Sequence, residues 1–115
     1  MVKLNLLVIR MADLAAARAF YESIGLVFSV EKHGTGPEHL ACTLGDTVFE
    51  IYPGATGETA NCRLGFEVSA LDEVVARVAA NGAVVVRPPA MSPWGRRATL
   101  ADPDGRRVEV YEIAV

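Results

Sequence analysis

The sequence predicts an α+β fold made of two βαβββ modules, and three observations lead there. The chain repeats itself: Leu14 recurs as Leu71 and Gly25 as Gly82, each 57 positions later, and Glu50 recurs as Glu109, 59 positions later. Each half reads as a strand, a helix and three further strands. Near the C-terminus, Asp102-Pro103-Asp104-Gly105 has turn chemistry and is followed by residues 106–113, where Val108 and Val110 alternate with Arg107, Glu109 and Tyr111. Period two is a half-buried strand, so Glu109 points away from the valines. Modules of about 55 residues are too small to be stable apart, so their sheets should pair.

The elements follow in order. Leu4 to Ile9 is a nearly continuous apolar run, expected as a strand buried on both faces. Asp13 caps a helix on which Leu14, Ala17, Phe20, Tyr21 and Ile24 share one face, and Gly25 stops it. Val27 to His33 reads as a strand, residues 34–38 as a turn, His39 to Leu44 and Thr47 to Tyr52 as two more strands. The first module is 1–53, a Gly- and Thr-rich linker spans 54–61, and the second module is 62–115. In that module Arg63 to Val68 is a strand, and Ser69 opens a helix with Asp72 at capping-box spacing. Leu71, Val74, Val75 and Val78 form its apolar stripe, and Asn81-Gly82 ends it. Ala83 to Arg87, Arg96 to Leu100 and residues 106–113 are the remaining strands, with a loop from Pro88 to Gly95.

At 115 residues and 51% hydrophobic content, the chain is one domain with a sizeable core. A net charge of -3 with scattered arginines excludes a nucleic-acid surface. The run after Lys3 is broken by Arg10 and Asp13, too short for a membrane span or signal core. Cys42 and Cys62 form neither a disulfide framework nor a metal spacing, so a reducing cytoplasm is expected.

The pattern resembles the vicinal oxygen chelate superfamily of glyoxalases, bleomycin resistance proteins and extradiol dioxygenases. The resemblance is carried by Asp13-Leu14, Phe20-Tyr21, Gly25-Leu26 and Phe49-Glu50-Ile51-Tyr52. In the second half it is carried by Leu64 to Val68, Asn81-Gly82, Trp94-Gly95, Asp102-Pro103-Asp104-Gly105 and Val108-Glu109-Val110. It implies that the two modules pair into a half-barrel cup holding a metal or an organic ligand, and that the protein is a homodimer, with modules exchanged between chains as one option.

The resemblance also implies metal ligands on the first and last strands of each module. Glu50 and Glu109 occupy the last-strand positions, but Leu6 and Arg63 stand where imidazoles are usual. Leucine has no lone pair and a guanidinium is a pure donor. No catalytic metal or other cofactor is therefore expected. The favoured picture has Arg63 bridging Glu50 and Glu109 where a metal would sit. In a second, these are strand residues with solvated tips. In a third, a divalent metal is held by Glu50, Glu109 and His39.

Around that centre, His39 at the start of a strand is a candidate ligand or general base, whereas His33 reads as a surface residue. Tyr52 and Tyr111 each lie two residues past a glutamate, on its face, and with Trp94 as a lid they would wall an apolar pocket. Arg96 and Arg97 could reach an anionic ligand but read better as a solvated strand end. Two functions follow. One is a binding protein for a small organic molecule, contacted by Leu6, His39, Glu50, Tyr52, Arg63, Trp94, Glu109 and Tyr111. The other is a lyase, isomerase or dioxygenase using Glu50 and Glu109, or a metal-free acid–base enzyme with Glu109 or His39 as the catalytic group.

Overall fold

The computed structural model describes residues 1–113. The first module contains β1 (Leu6–Met11), α1 (Leu14–Ile24), β2 (Ser29–Glu31), β3 (His39–Leu44) and β4 (Thr47–Pro53). A 3-10 turn, Gly57–Asn61, leads to the second: β5 (Leu64–Val68), α2 (Leu71–Ala80), β6 (Val84–Ser92), β7 (Gly95–Ala101) and β8 (Arg107–Glu112). The two sheets have equivalent orders, β1-β4-β3-β2 and β5-β8-β7-β6. In each, the first strand runs parallel to the last and the other pairs are antiparallel. This is the paired-module architecture the repeat predicts. Among the described residues no strand of one sheet is hydrogen-bonded to the other, and β1 and β5 are both sheet edges.

Period two decides what each strand buries. Ile9 and Met11 of β1, Leu40 and Cys42 of β3, and Phe49 and Ile51 of β4 turn towards the helices. Leu64 of β5, Ala98 and Leu100 of β7, and Val108 and Val110 of β8 do the same, and all join one core. Phe20 and Tyr21 from α1 pack edge-on, and Tyr21 lies near Phe49 and Phe66, so the modules share an aromatic centre. The opposite side of each sheet, its open face, carries the polar and aromatic residues of interest.

Four local expectations are corrected. First, β1 is not buried on both faces: Leu6 and Val8 are 50% and 40% exposed, because nothing covers the open face of this edge strand in a single chain. Second, β2 is confined to Ser29–Glu31; the Phe28 amide donates to Glu22 and its carbonyl accepts from Arg18, so Phe28 is tied to α1. Third, Ser69 does not cap α2. The N-cap is Ala70, and the Glu112 carboxylate accepts the Leu71 amide at 3.3 Å. Fourth, β6 continues past Arg87 to Ser92. Pro88 and Pro89 cannot donate, and the ladder shifts register between Arg87 and Ala90, which an edge strand tolerates.

The Asp102–Gly105 turn also clasps the modules together. Asp102 accepts the Tyr21 hydroxyl at 2.7 Å, Arg106 Nη1 at 2.6 Å, and the amides of Asp104 and Arg106. Arg106, whose side chain is fully buried, also donates to the carbonyls of Thr59 and Arg10 and to the Thr59 hydroxyl. Asp104 accepts from Ala12 and Thr56. Burial first, then the facing Asp102 carboxylate, pushes the Tyr21 phenol far above its ordinary range. Among the described residues no helix is long and apolar enough to cross a membrane, and Cys42 and Cys62 are unpaired.

Candidate functional site

On the open face of the second sheet, Glu109 lies between β5 and β7, opposite Gly65 and Thr99. It is 6% exposed, and Thr99 donates its hydroxyl to Glu109 Oε2 at 2.6 Å. The other carboxylate oxygen, Oε1, is 3.6 Å from Arg63 Nε. Two residues along, Tyr111 covers Gly65, where an added Cβ would stand 3.4 Å from the ring. Arg97 Nη1 meets the Tyr111 hydroxyl at 3.4 Å, and its guanidinium lies 5.5 Å from the Trp94 ring centre and 6.0 Å from that of Tyr111. Trp94 sits in the β6–β7 hairpin and is 72% exposed. Trp94, Arg97 and Tyr111, with Glu67, Gly95 and Glu112, line a cavity of about 500 Å³, within the range of small-molecule pockets.

The open face of the first sheet is built differently. Leu6 and Val8 lie opposite Val48 and Glu50 across the parallel β1–β4 ladder. Glu50 Oε2 is 3.2 Å from His39 Nε2, and the His39 ring is stacked on Tyr52, 4.1 Å between centres and 9° from parallel. His39 is 1% exposed, whereas His33 lies in the open, 5.1 Å away ring to ring. Glu31 carries the cluster outward: its Oε1 is 3.5 Å from His33 Nε2 and 3.9 Å from His39 Nε2. Among the described residues Glu31, His33, His39 and Glu50 form a group that could hold a metal ion, one donor atom from each lying within 4.8 Å of every other.

The cup-centre residues are therefore divided. Arg63 is beside Glu109, Glu50 is beside His39, and among the described residues no ion pair joins Arg63 to Glu50. Tyr52 and Tyr111 do share faces with their glutamates, but each is engaged by a different cation-forming partner, His39 and Arg97. Arg96, expected as a solvated strand end, is half-buried and lies 2.7 Å from Asp72 and 3.6 Å from Glu112. Its hydrogen bonds hold the Asp72 carboxyl below the usual range.

Nothing in the sequence singles out Glu31 or Thr99, and it reads Arg97 as a solvated strand end, although Arg97 reaches the Tyr111 hydroxyl and the Trp94 ring. Hairpin register is the signal that would have found the first: across the 34–38 turn, Glu31 pairs with His39. Thr99 and Arg97 fall on the face of Glu109 and Tyr111 only once the β7–β8 register is known. A larger cavity, about 940 Å³, opens at the seam between modules, lined by Leu7, Phe49, Leu64, Phe66 and Val74 and reached by Arg63 and Glu67 of the second sheet.

Comparison with solved structures gives the same fold. TnmS3, an antibiotic binding protein from Streptomyces sp. CB03234, matches with a TM-score of 0.78 and 24% identity, covering 99% of this chain and 98% of its own. A glyoxalase-related enzyme from Fulvimarina pelagi matches with a TM-score of 0.77 and 23% identity, over 98% of this chain and 89% of its own. A glyoxalase/bleomycin resistance protein from Streptomyces sp. CB03234 has a TM-score of 0.73 and 25% identity, over 96% and 100%. No curated protein matches the sequence. The family model for the Glyoxalase/Bleomycin resistance protein/Dioxygenase superfamily matches residues 3–110, and the chain belongs to that superfamily.

Proposed function

We propose that the protein binds a small organic molecule in the cup of its open faces, without a metal at the cup's centre. The observation that carries this reading is the chemistry of positions 6 and 63. An aliphatic side chain and a guanidinium stand where the superfamily places imidazoles, so Glu50 and Glu109 lack nitrogen co-ligands there. Glu109 is instead satisfied by Thr99, with Arg63 alongside. The pocket of Trp94, Arg97 and Tyr111 offers two aromatic walls and a cation, a surface for a flat, polarisable ligand. TnmS3, which shares the fold, is an antibiotic binding protein, and that supports the same ligand class here.

A homodimer fits this role. Leu4, Leu6 and Val8 expose apolar surface on or beside the free β1 edge, and a second copy would cover it, with or without exchange of modules. The unpaired cysteines suit a cytoplasmic protein.

The test is a fluorescence titration of Trp94, the single tryptophan, against a panel of planar aromatic antibiotics that includes bleomycin. Saturable quenching, silent in Trp94→Phe and weakened about tenfold or more in Tyr111→Ala, is the expected result. Absence of binding across the panel, together with metal-dependent turnover of a hemithioacetal or a catechol, would replace this reading with the catalytic one.

One observation favours a second reading. His39 Nε2 and Glu50 form a part-buried imidazole–carboxylate pair, a constellation suited to moving a proton. In that reading His39, or Glu109 on the other sheet, is the catalytic acid–base group of a lyase or isomerase. Turnover lost in His39→Gln and retained in Trp94→Phe would establish it.

A further inference from the structure

The β2–β3 hairpin brings together side chains that the sequence keeps apart. Register sets Glu31 opposite His39, and Glu50 lies one strand further on, opposite Ala41. His33, just beyond β2, folds back so that its Nε2 reaches Glu31. The result is a cluster of two imidazoles and two carboxylates wholly inside the first module.

We propose that Glu31, His33, His39 and Glu50 form a divalent-cation site with a preference for zinc, separate from the cup centre defined by positions 6 and 63. Donors at zinc distances on a tetrahedron stand about 3.3–3.5 Å apart. The observed separations of 3.2 Å for His39–Glu50, 3.5 Å for His33–Glu31 and 3.9 Å for His39–Glu31 already approach those edges. All four donor atoms lie within 4.8 Å of one another, so small side-chain movements complete the shell.

The support around the buried histidine points the same way. His39 Nδ1 is 3.3 Å from the Pro37 carbonyl, which can only accept, so Nδ1 carries the proton. In the neutral ring, Nε2 then turns a lone pair towards two carboxylates, an arrangement that a cation between them resolves. Ligating imidazoles characteristically give their second N–H to a carbonyl in this way. Tyr52, stacked on the ring, fixes its plane. Exposed His33 and half-exposed Glu31 leave an entry from solvent, while His39 and Glu50 form the floor. Two nitrogens and two oxygens suit zinc better than magnesium or calcium, which prefer all-oxygen shells.

The competing arrangement is a doubly protonated His39 paired with Glu31 and Glu50, which would take up no metal. Calorimetric titration of untagged, chelator-treated protein with zinc chloride at neutral pH separates the two. One equivalent should bind, and cobalt(II) in its place should show the intense visible bands of a four-coordinate ion. His33→Ala and Glu31→Gln alter exposed side chains and should leave the fold intact. Each should weaken zinc at least ~tenfold, since even second-sphere changes cost that much, whereas Glu109→Gln should leave affinity unchanged. Absence of binding, or binding indifferent to both His33→Ala and Glu31→Gln, overturns the proposal. Loss in Glu109→Gln would put the metal at the cup centre and overturn it as well. No organic ligand enters this titration, so its outcome is independent of the Trp94 assay.

Discussion

Removing the Arg106 guanidinium should do more damage than any other single polar change in the chain. The side chain is fully buried and holds Asp102, itself buried, at 2.6 Å. It also donates to Thr59 Oγ1 and to the carbonyls of Thr59 and Arg10, ties that reach from the turn before β8 into the first module and the connecting turn. In Arg106→Met, Asp102 keeps Tyr21 and two backbone amides but loses its only cation within the described residues. Breaking a buried pair from one side costs about 3–5 kcal/mol. At about 4 °C per kcal/mol for a domain of this size, the melting temperature should fall by roughly 12–20 °C. Urea unfolding followed by circular dichroism at 25 °C, with thermal melts alongside, gives both numbers. Arg106→Lys, which keeps the charge but not the fork, should lie between. Adding Asp102→Asn to Arg106→Met should recover part of the loss, because the orphaned charge is then gone. A loss below about 1 kcal/mol, the size of an exposed pair, would refute the reasoning and mean that water reaches Asp102.

Tyr21 makes the clasp sensitive to alkali. Its folded-state pKa is raised, so above about pH 10 the unfolded chain ionises while the folded one keeps its proton, and stability falls by ~1.4 kcal/mol per pH unit. Unfolding of Tyr21→Phe between pH 9 and 11 should lack that component of the slope, and equal slopes in both proteins would contradict the burial argument. Thr99→Val leaves Glu109 Oε2 without its 2.6 Å donor and should cost about 1–3 kcal/mol by urea titration. Asp72→Asn, at a solvent-exposed pair, should leave the melting temperature within a degree or two of wild type.

The sequence by itself determined the architecture, because repeat and periodicity are local. The 57-residue offset set two copies of one module. Gly25, held at φ 126°, and Gly82, at φ 87°, mark helix ends where other residues would be strained. Alternation in β4 and β8 assigned Glu50 and Glu109 to the open faces. Chemistry at positions 6 and 63 was equally legible, since a side chain's lone pairs need no coordinates.

Tertiary structure decided which groups meet. Leu6 and Val8 read as buried because an apolar run says nothing about whether a neighbour covers its second face. Glu50 and Glu109 read as partners because the repeat makes them equivalent, yet equivalence by pseudo-symmetry is not proximity. Each carboxylate meets the polar side chain nearest across its own ladder, His39 diagonally across β3–β4 and Thr99 directly across β7–β8. Asp102 read as a turn-former and is one, but it also accepts the hydroxyl of Tyr21, which arrives from 81 residues away. Hydrogen bonds and charge pairs act over a few ångströms, and only the folded chain says which residues come that close.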